Sequence, residues 1–263
     1  MHMNNKLLIG TSGYSYKDWE GVLYPPGTKQ LDYLSVYSDE FSVAELNFSY
    51  YRMPDKSVSR RMVDVTGRDF IFSVKAHHSL THEMTSAALE TNCAAFTSGI
   101  EPFIDCQKLG AVLLQFPYSF HYKKENRTYL DLLCKRLSHL PLCIEFRNQY
   151  WQRESVYDEL RGRGIGFVNV DEPVLAGLLK AGSIVTSDIG YVRFHGRNAL
   201  NWWDGDNVSR YDYCYNDNEL QEWIPRITSV LKQTRIVLVV FNNHSKGQAV
   251  QNARRLKELL IST

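Results

Sequence analysis

The sequence predicts an α/β protein that folds as a single (β/α)8 TIM-like barrel over residues 1–263. Eight short runs rich in Val, Ile, Leu and Phe are typical of parallel strands that helices cover on the outside. Segments with apolar residues at helical spacing follow these runs. Eight strand–helix pairs in about 250 residues are typical of this barrel. The chain is 44% hydrophobic, which is enough for a sizeable core.

The elements follow one another with few interruptions. The predicted strands are 6–13, 41–51, 69–77, 109–117, 142–148, 165–172, 191–197 and 235–244. The predicted helical segments are 29–40, 54–67, 85–110, 124–140, 153–164, 173–182, 217–234 and 245–260. Pro54 lies near a predicted helix start, and Gly67, Gly164 and Gly182 lie at predicted helix ends, which are positions that these residues favour. An open doubly wound sheet is disfavoured, because the glycine-rich turn at 162–166 leads into a strand and not out of one.

Composition limits the partners and the compartment. Thirty basic residues against 29 acidic ones give a formal net charge of +1, so no overall field attracts nucleic acid or a membrane surface. No apolar run reaches about 18 residues, which predicts no membrane-spanning helix. The first ten residues lack the features of a signal peptide. Five cysteines without a C-x-x-C pair are expected to be reduced thiols, and we expect a cytoplasmic protein.

Polar side chains gather where the predicted strands end, which is where barrels of this kind build active sites. The stretch YVRFHGR at 191–197 shows the pattern most clearly, since Arg193, His195 and Arg197 occupy alternate positions. Alternate strand residues share a face, and we expect this charged face to point into the barrel. The other strand ends supply Tyr14, Glu45, Asn47, Lys75, Gln115, Glu145, Arg147, Asn169, Asp171 and Asn243.

The leading hypothesis is an enzyme, a hydrolase or an isomerase, that acts on a small phosphorylated or carboxylated substrate such as a sugar or nucleotide. Arg147, Arg193 and Arg197 are predicted to bind the anion, because guanidinium forks suit phosphate and carboxylate. Glu45 or Glu145 is the predicted general base. His195 or Lys75 is the predicted general acid or electrophile. The residues predicted to contact or orient the ligand are Tyr14, Asn47, Asp171, Trp202 and Asn243.

The same charges support a second interpretation, a buried structural lattice of ion pairs. Its predicted members are Glu45, Lys75, Glu145, Arg147 and Arg193. Buried charges need partners whether or not a ligand binds, so the residue types alone do not separate the two hypotheses.

The sequence requires no cofactor, and a divalent metal ion is a weaker alternative. Glu145, Asp171 and His195 end three successive strands, and Asn242 or His244 ends the next one. One oxygen or nitrogen ligand from each strand would suit such an ion, although two arginines at the same strand ends oppose it. His78 and His82 do not form a zincin motif, and we expect them to be solvated or to cap a helix.

The segment 198–217 after the seventh strand is long for such a connection and rich in Trp and Tyr. It is either a lid whose rings stack on a sugar or base, or an apolar plug. The start of the last helix, at 245–247, could add an anion site.

A nucleic-acid-binding or repair protein is a second hypothesis for the function, which the near-neutral charge disfavours. A non-enzymatic small-molecule-binding protein is the third.

Seven stretches, taken in order, resemble the YecE-like family, domain of unknown function seventy-two. They are IGTSGYSYKDWEGVLYP (9–25), ELNFSYYRMP (45–54), FSVKAHHSLTH (72–82), LGAVLLQFP (109–117), IEFRNQYW (144–151), YVRFHGR (191–197) and FNNHSKGQAVQNARRLKELL (241–260). The family pattern usually has Ser-Trp where this chain has Tyr150-Trp151. The resemblance implies a TIM-like barrel with its site at the mouth, and it implies no particular substrate or reaction.

Overall fold

A computed structural model of the chain describes residues 6–206 and 208–261. Eight strands within these residues form one closed parallel barrel in chain order. They are β1 (Lys6–Ser12), β2 (Val43–Leu46), β3 (Ile71–Lys75), β4 (Leu109–Gln115), β5 (Leu142–Glu145), β6 (Gly166–Asp171), β7 (Ile189–Phe194) and β8 (Ile236–Phe241). The barrel closes between β1 and β8, from Lys6 beside Ile236 to Thr11 beside Phe241. The predicted (β/α)8 TIM-like barrel is confirmed.

Helices surround the strands. They are α1 (Tyr33–Glu40), α2 (Phe48–Tyr51), α3 (Lys56–Asp64), α4 (His78–Thr81), α5 (Leu89–Asp105), α6 (Lys124–Arg136), α7 (Glu154–Arg163), α8 (Asp217–Gln221), α9 (Ile224–Leu231) and α10 (Gln248–Ile261). The helix predicted over 217–234 is divided into α8 and α9, with Pro225 in the first turn of α9. No helix among residues 6–206 and 208–261 is both long enough and apolar enough to cross a membrane.

The core lies between the barrel and these helices, and it is packed closely. The rings of Phe72 on β3 and Phe103 on α5 have centroids 4.6 Å apart. A methyl group added at Gly99 of α5 would lie 2.2 Å from the carbonyl oxygen of Pro54. Glycine at this position therefore allows α5 to approach the chain just before α3.

The helix predicted over 173–182 is wrong, because side chains in β6 and just after it hold this segment in an irregular loop. The Glu172 carboxyl group accepts a hydrogen bond from the backbone N–H of Leu179 at 3.0 Å. The Asn169 side-chain amide bonds both the N–H and the carbonyl of Ile184, at 2.8 and 2.9 Å. Gly177 also adopts a φ of 90°, which breaks a helix. Local apolar spacing cannot reveal such bonds to the backbone.

Strand β7 begins and ends earlier than the predicted strand 191–197. It stops at Phe194, and the N–H of His195 still donates to the carbonyl of Asp171 at 2.8 Å. Gly196 then turns the chain with a φ of 88°, and its N–H donates to the Tyr215 hydroxyl at 2.7 Å. The alternation of faces therefore ends before Arg197.

The amino-terminal end of the barrel contains a buried lysine that is fully bonded. The Lys108 ammonium donates to the carbonyls of Val63 and Thr66, at 2.8 and 2.9 Å, and to the Thr66 hydroxyl at 2.8 Å. Val63 lies in the last turn of α3 and Thr66 lies just after it, at the helix end where the helix dipole favours a cation. Burial lowers the pKa of Lys108, but every proton of the ammonium has an acceptor.

Candidate functional site

A cavity of about 550 Å³ opens at the carboxyl ends of the strands. Five of the predicted site residues line it, namely Asn47, Lys75, Arg147, Arg193 and Trp202. Its cationic residues are Lys75, Arg147, Arg193 and Arg210, and its tyrosines and tryptophans are Tyr16, Tyr50, Tyr51, Tyr118, Trp202, Trp203 and Tyr211. The cavity thus combines positive charge with aromatic walls.

Arg193 forms the base of the cavity and is held by two buried carboxylates. Its Nε and Nη2 donate to the two oxygens of Glu45 at 2.8 and 2.6 Å, and its Nη1 donates to Glu145 at 2.5 Å. The Tyr191 hydroxyl also donates to Glu45, at 2.6 Å. These contacts occupy nearly all the hydrogen-bond donors of the guanidinium. Arg193 and its partners therefore form a structural lattice below the cavity.

Arg147 extends this lattice toward the cavity. Its Nε donates to Glu145 at 2.5 Å, and the Nε2 atom of His195 lies 3.2 Å from the same carboxylate. Burial opposes ionisation of Glu145, but Arg147 and Arg193 hold its pKa well below the usual range. Burial and the neighbouring Arg147 lower the pKa of His195 to about 3. His195 is therefore neutral and lies beneath the cavity wall.

Glu172 does not neutralise Arg147 at neutral pH. Its Oε2 atom lies 3.7 Å from Nη1 of Arg147 and accepts no hydrogen bond among the described residues. Burial raises the pKa of Glu172 to about 8. Because a protonated carboxyl carries no charge, the positive charge at the cavity exceeds the negative charge of Glu45 and Glu145.

Lys75 ends β3 and does not join the lattice. Its Nζ atom lies 4.3 Å from the centroid of the Tyr50 ring. Within residues 6–206 and 208–261 it has no carboxylate within 4.0 Å and no hydrogen-bond acceptor. Burial and the nearby Arg193 lower the pKa of Lys75 to about 7. The amine is therefore divided between its charged and neutral forms at neutral pH.

Two other lining residues have buried polar atoms without partners among the described residues, Arg210 at Nε and Asn47 at Oδ1. Asn47 is oriented by its own amide, which donates to the Ser12 hydroxyl at 2.7 Å. A buried donor or acceptor without a partner costs about 1–3 kcal/mol. Atoms of this kind in a cavity wall indicate a place for a ligand or water.

Aromatic residues that follow β7, at positions 202, 203 and 211, close one side of the cavity. Trp202 is buried, and the Arg147 guanidinium carbon lies 5.8 Å from its ring centroid. Trp203 is 46% exposed and meets Tyr118 edge-on at 4.8 Å. These residues thus combine a buried anchor, Trp202, with an accessible ring at the rim, Trp203.

Asp171 and Arg197 lie away from the cavity and pair with each other. Arg197 donates to Asp171 at 3.0 and 2.7 Å, and Tyr215 and Trp223 donate to the same carboxylate at 2.7 and 2.6 Å. The register between β6 and β7 places Asp171 beside Phe194, which packs outward against Trp223. The expectation that Asp171 and Arg197 point into the barrel is therefore wrong.

Tyr14 and Asn243 also lie outside the lining. The Tyr14 ring is 6.1 Å from the Tyr37 ring, and the Asn243 amide donates to Tyr213 and Asn252, both at 2.8 Å.

The metal hypothesis loses its third ligand, because Asp171 does not approach Glu145 and His195. In the part of the chain that the structure describes, no three His, Cys, Asp or Glu side chains are arranged as a metal site.

Several lining residues were not predicted. Tyr50, His82 and Arg210 reach the cavity from short helices and loops beyond the strand ends. Burial and the charge of Lys75 lower the pKa of His82 to about 4, so its ring is neutral there. The alternation of side chains between two faces holds only within strands, so it could not predict these residues. For Arg210, the only sequence signal was the high content of Trp and Tyr in the segment 198–217.

Fold and site together define a TIM-barrel protein with a polar, cation-rich cavity at its mouth. The family described as "Protein of unknown function DUF72" matches residues 8–263. The UPF0759 protein YunF of Bacillus subtilis (strain 168) is 32% identical over 273 residues, which cover 97% of this chain and 94% of YunF. The chain belongs to the DUF72 family, as the resemblance to YecE-like proteins implied.

Solved structures of this family share the architecture. A DUF72 family protein of Thermotoga maritima MSB8, TM1631, superposes with a TM-score of 0.88 at 38% identity, and the match covers 97% of this chain and 99% of that one. A DUF72 family protein of Enterococcus faecalis V583, EF0366, gives a TM-score of 0.86 at 27% identity over 97% of this chain and 95% of the other.

Proposed function

We propose that the mouth of this barrel binds a small anionic ligand and acts on it as an enzyme. One observation carries the proposal: Lys75 and Arg210 line the cavity and have no acidic partner among the described residues. A cation that is partly removed from water without a counter-ion is costly unless a ligand supplies the charge. Such residues therefore favour a phosphorylated or carboxylated ligand.

The ion-pair lattice below the cavity limits which residues can contact the ligand. Arg193 cannot supply a free fork, because Glu45 and Glu145 already occupy it. The same contacts remove Glu45 and Glu145 from the role of general base. We assign the direct anion contacts to Arg147 and Arg210 instead, with Asn47 as a further polar contact and Lys75 as a nearby group that adds positive charge when it is protonated.

The walls suggest a ligand with an apolar or ring-shaped face. A cavity of about 550 Å³ falls within the usual range for small-molecule sites. Accessible rings at Tyr118 and Trp203 are suited to stack on a sugar or a base. Sugar phosphates and sugar acids combine both properties and are the proposed ligand class.

Differential scanning fluorimetry with a panel of sugar phosphates, sugar acids and their uncharged parent sugars tests the proposal. We expect anionic members to raise the melting temperature and the neutral parents to leave it unchanged. Arg210→Met should weaken the best ligand about tenfold in a calorimetric titration, since one charge-assisted hydrogen bond contributes about 1.5–3 kcal/mol.

Arg68→Met is the matched control, because Arg68 is exposed just before β3, at the opposite end of the barrel. This variant should bind the ligand as the native chain does. The proposal fails if no anionic member of the panel stabilises the native chain. It also fails if Arg210→Met and the native chain bind the best ligand equally.

A further inference from the structure

We infer that Lys75 is a nucleophile that forms an imine with an aldehyde or ketone group of the anionic ligand. This inference rests on the proposed function, since the anion contacts would position the carbonyl carbon. It narrows the ligand class to compounds that carry both a carbonyl group and a phosphate or carboxylate.

The position of Lys75 suits this role. The residue ends a barrel strand, and its carbonyl accepts a hydrogen bond from the Ser49 hydroxyl at 2.6 Å, which fixes the backbone. Its amine faces the cavity over the Tyr50 ring, with no acceptor among the described residues to occupy its protons. The nitrogen lone pair is therefore accessible when the amine is neutral.

Burial is the main factor that favours the neutral amine. Arg193 and Arg147 also disfavour a further cation, and the charges of Glu45 and Glu145 oppose this effect only in part. The other titratable groups that line the cavity are Tyr16, Tyr50, Tyr51, His82, Tyr118, Arg210, Tyr211 and His244. With a pKa of about 7, roughly half of the amine is unprotonated at neutral pH, whereas an ordinary lysine is almost fully charged.

The proposed step balances without an oxidant or reductant. The neutral Lys75 nitrogen attacks the carbonyl carbon, and the carbonyl π electrons move to the oxygen. A proton passes from nitrogen to this oxygen and gives a carbinolamine. Protonation of the hydroxyl then releases water and leaves a protonated imine, so that amine, carbonyl compound and one proton yield iminium and water.

His82 is placed to take part in these proton transfers. Its ring lines the same cavity and meets the Tyr50 ring edge-on at 4.9 Å. The Nδ1 atom contacts the Thr81 hydroxyl at 2.9 Å, and the tautomer that donates Nδ1–H to Thr81 leaves the Nε2 lone pair free to accept a proton. A neutral imidazole accepts the proton that the attacking amine loses.

Borohydride trapping on the full chain tests the inference. The protein is incubated with glycolaldehyde phosphate or pyruvate, sodium borohydride is added, and intact mass and peptide mapping locate the adduct. We expect a single reduced adduct on Lys75 with these anionic carbonyls and far less with uncharged glycolaldehyde. The yield should rise with pH as the amine loses its proton, with a midpoint at or above pH 7 because the bound anion stabilises the ammonium.

Lys75→Met should abolish the adduct, and Lys232→Met, which changes an exposed lysine at the opposite end, should leave it unchanged. The native chain also gives a readout that needs no variant. Trinitrobenzenesulfonate should modify Lys75 at least about tenfold faster than Lys232 at pH 7, because only the neutral amine reacts.

Equal labelling of Lys75 and exposed lysines by both reagents would overturn the inference. If the sugar-phosphate panel still stabilises the chain in that case, the proposed anion site stands and only the imine is wrong. If no anion binds and Lys75 is unreactive, both proposals fail together.

Discussion

A lysine that is at least partly removed from water lies at each end of the barrel, and the two differ in whether their ammonium groups are hydrogen-bonded. At the amino-terminal end, the Lys108 ammonium donates to three oxygens and completes the end of α3. At the carboxyl-terminal end, Lys75 lies in a cavity without an acceptor among the described residues. Burial lowers the pKa of both, so the pKa direction does not separate them. What separates a structural lysine from a candidate functional one is whether its protons are bonded.

A similar contrast exists within the mouth itself. Arg193 lies below the cavity with its donors used by Glu45 and Glu145, whereas Arg210 lies in the wall with Nε unpaired among the described residues. The lower layer is a buried ion-pair lattice, and the upper layer is a set of cations without counter-ions. The lattice interpretation therefore describes the lower layer, and the upper layer is where we propose the anion site.

The largest effect is expected from Arg193→Met. This change leaves Glu45 and Glu145 buried without their shared cation, which should lower the free energy of unfolding by about 3–5 kcal/mol. Urea denaturation measures it, with Arg68→Met as a control that should change stability by less than about 0.5 kcal/mol. A loss below about 1 kcal/mol for Arg193→Met would show that the lattice is not structural.

A smaller effect is expected from Lys108→Met. Three oxygens lose their donor, and the free energy of unfolding should fall by about 2 kcal/mol. The same substitution at Lys75 removes no hydrogen bond among the described residues and should change stability by no more than about 0.5 kcal/mol. The comparison fails if the two variants lose equal stability, or if Lys75→Met is the less stable one.

The sequence predicted the barrel because strand and helix periodicities are local. It also predicted that Asn47, Lys75, Arg147 and Arg193 reach the mouth, since each lies at or next to the end of a strand. It failed for Asp171 because facing depends on register with β7, where Asp171 lies beside Phe194. The sequence also could not predict which charges form ion pairs, because pairing depends on the distances between side chains of different strands.

Loops limited the prediction further. His82 and Arg210 reach the cavity from segments that no period describes. The loop over 173–182 shows apolar residues at helical spacing, yet Glu172 binds the backbone N–H of Leu179 within it and Asn169 of β6 binds the backbone of Ile184 just after it. In both cases tertiary contacts determine the conformation of the loop, and these contacts cannot be predicted from the sequence of the segment alone.

The most direct test of the unpaired cation is the titration of lysine side chains by NMR with ¹³C-labelled lysine. Lys75 should titrate near pH 7, below the usual value of about 10.4 for lysine. Added sulfate, whose charge is constant over this range, should raise the Lys75 pKa, because a nearby anion stabilises the ammonium. The Lys108 resonance should not respond to sulfate. A Lys75 that titrates with the exposed lysines and ignores sulfate would contradict the account.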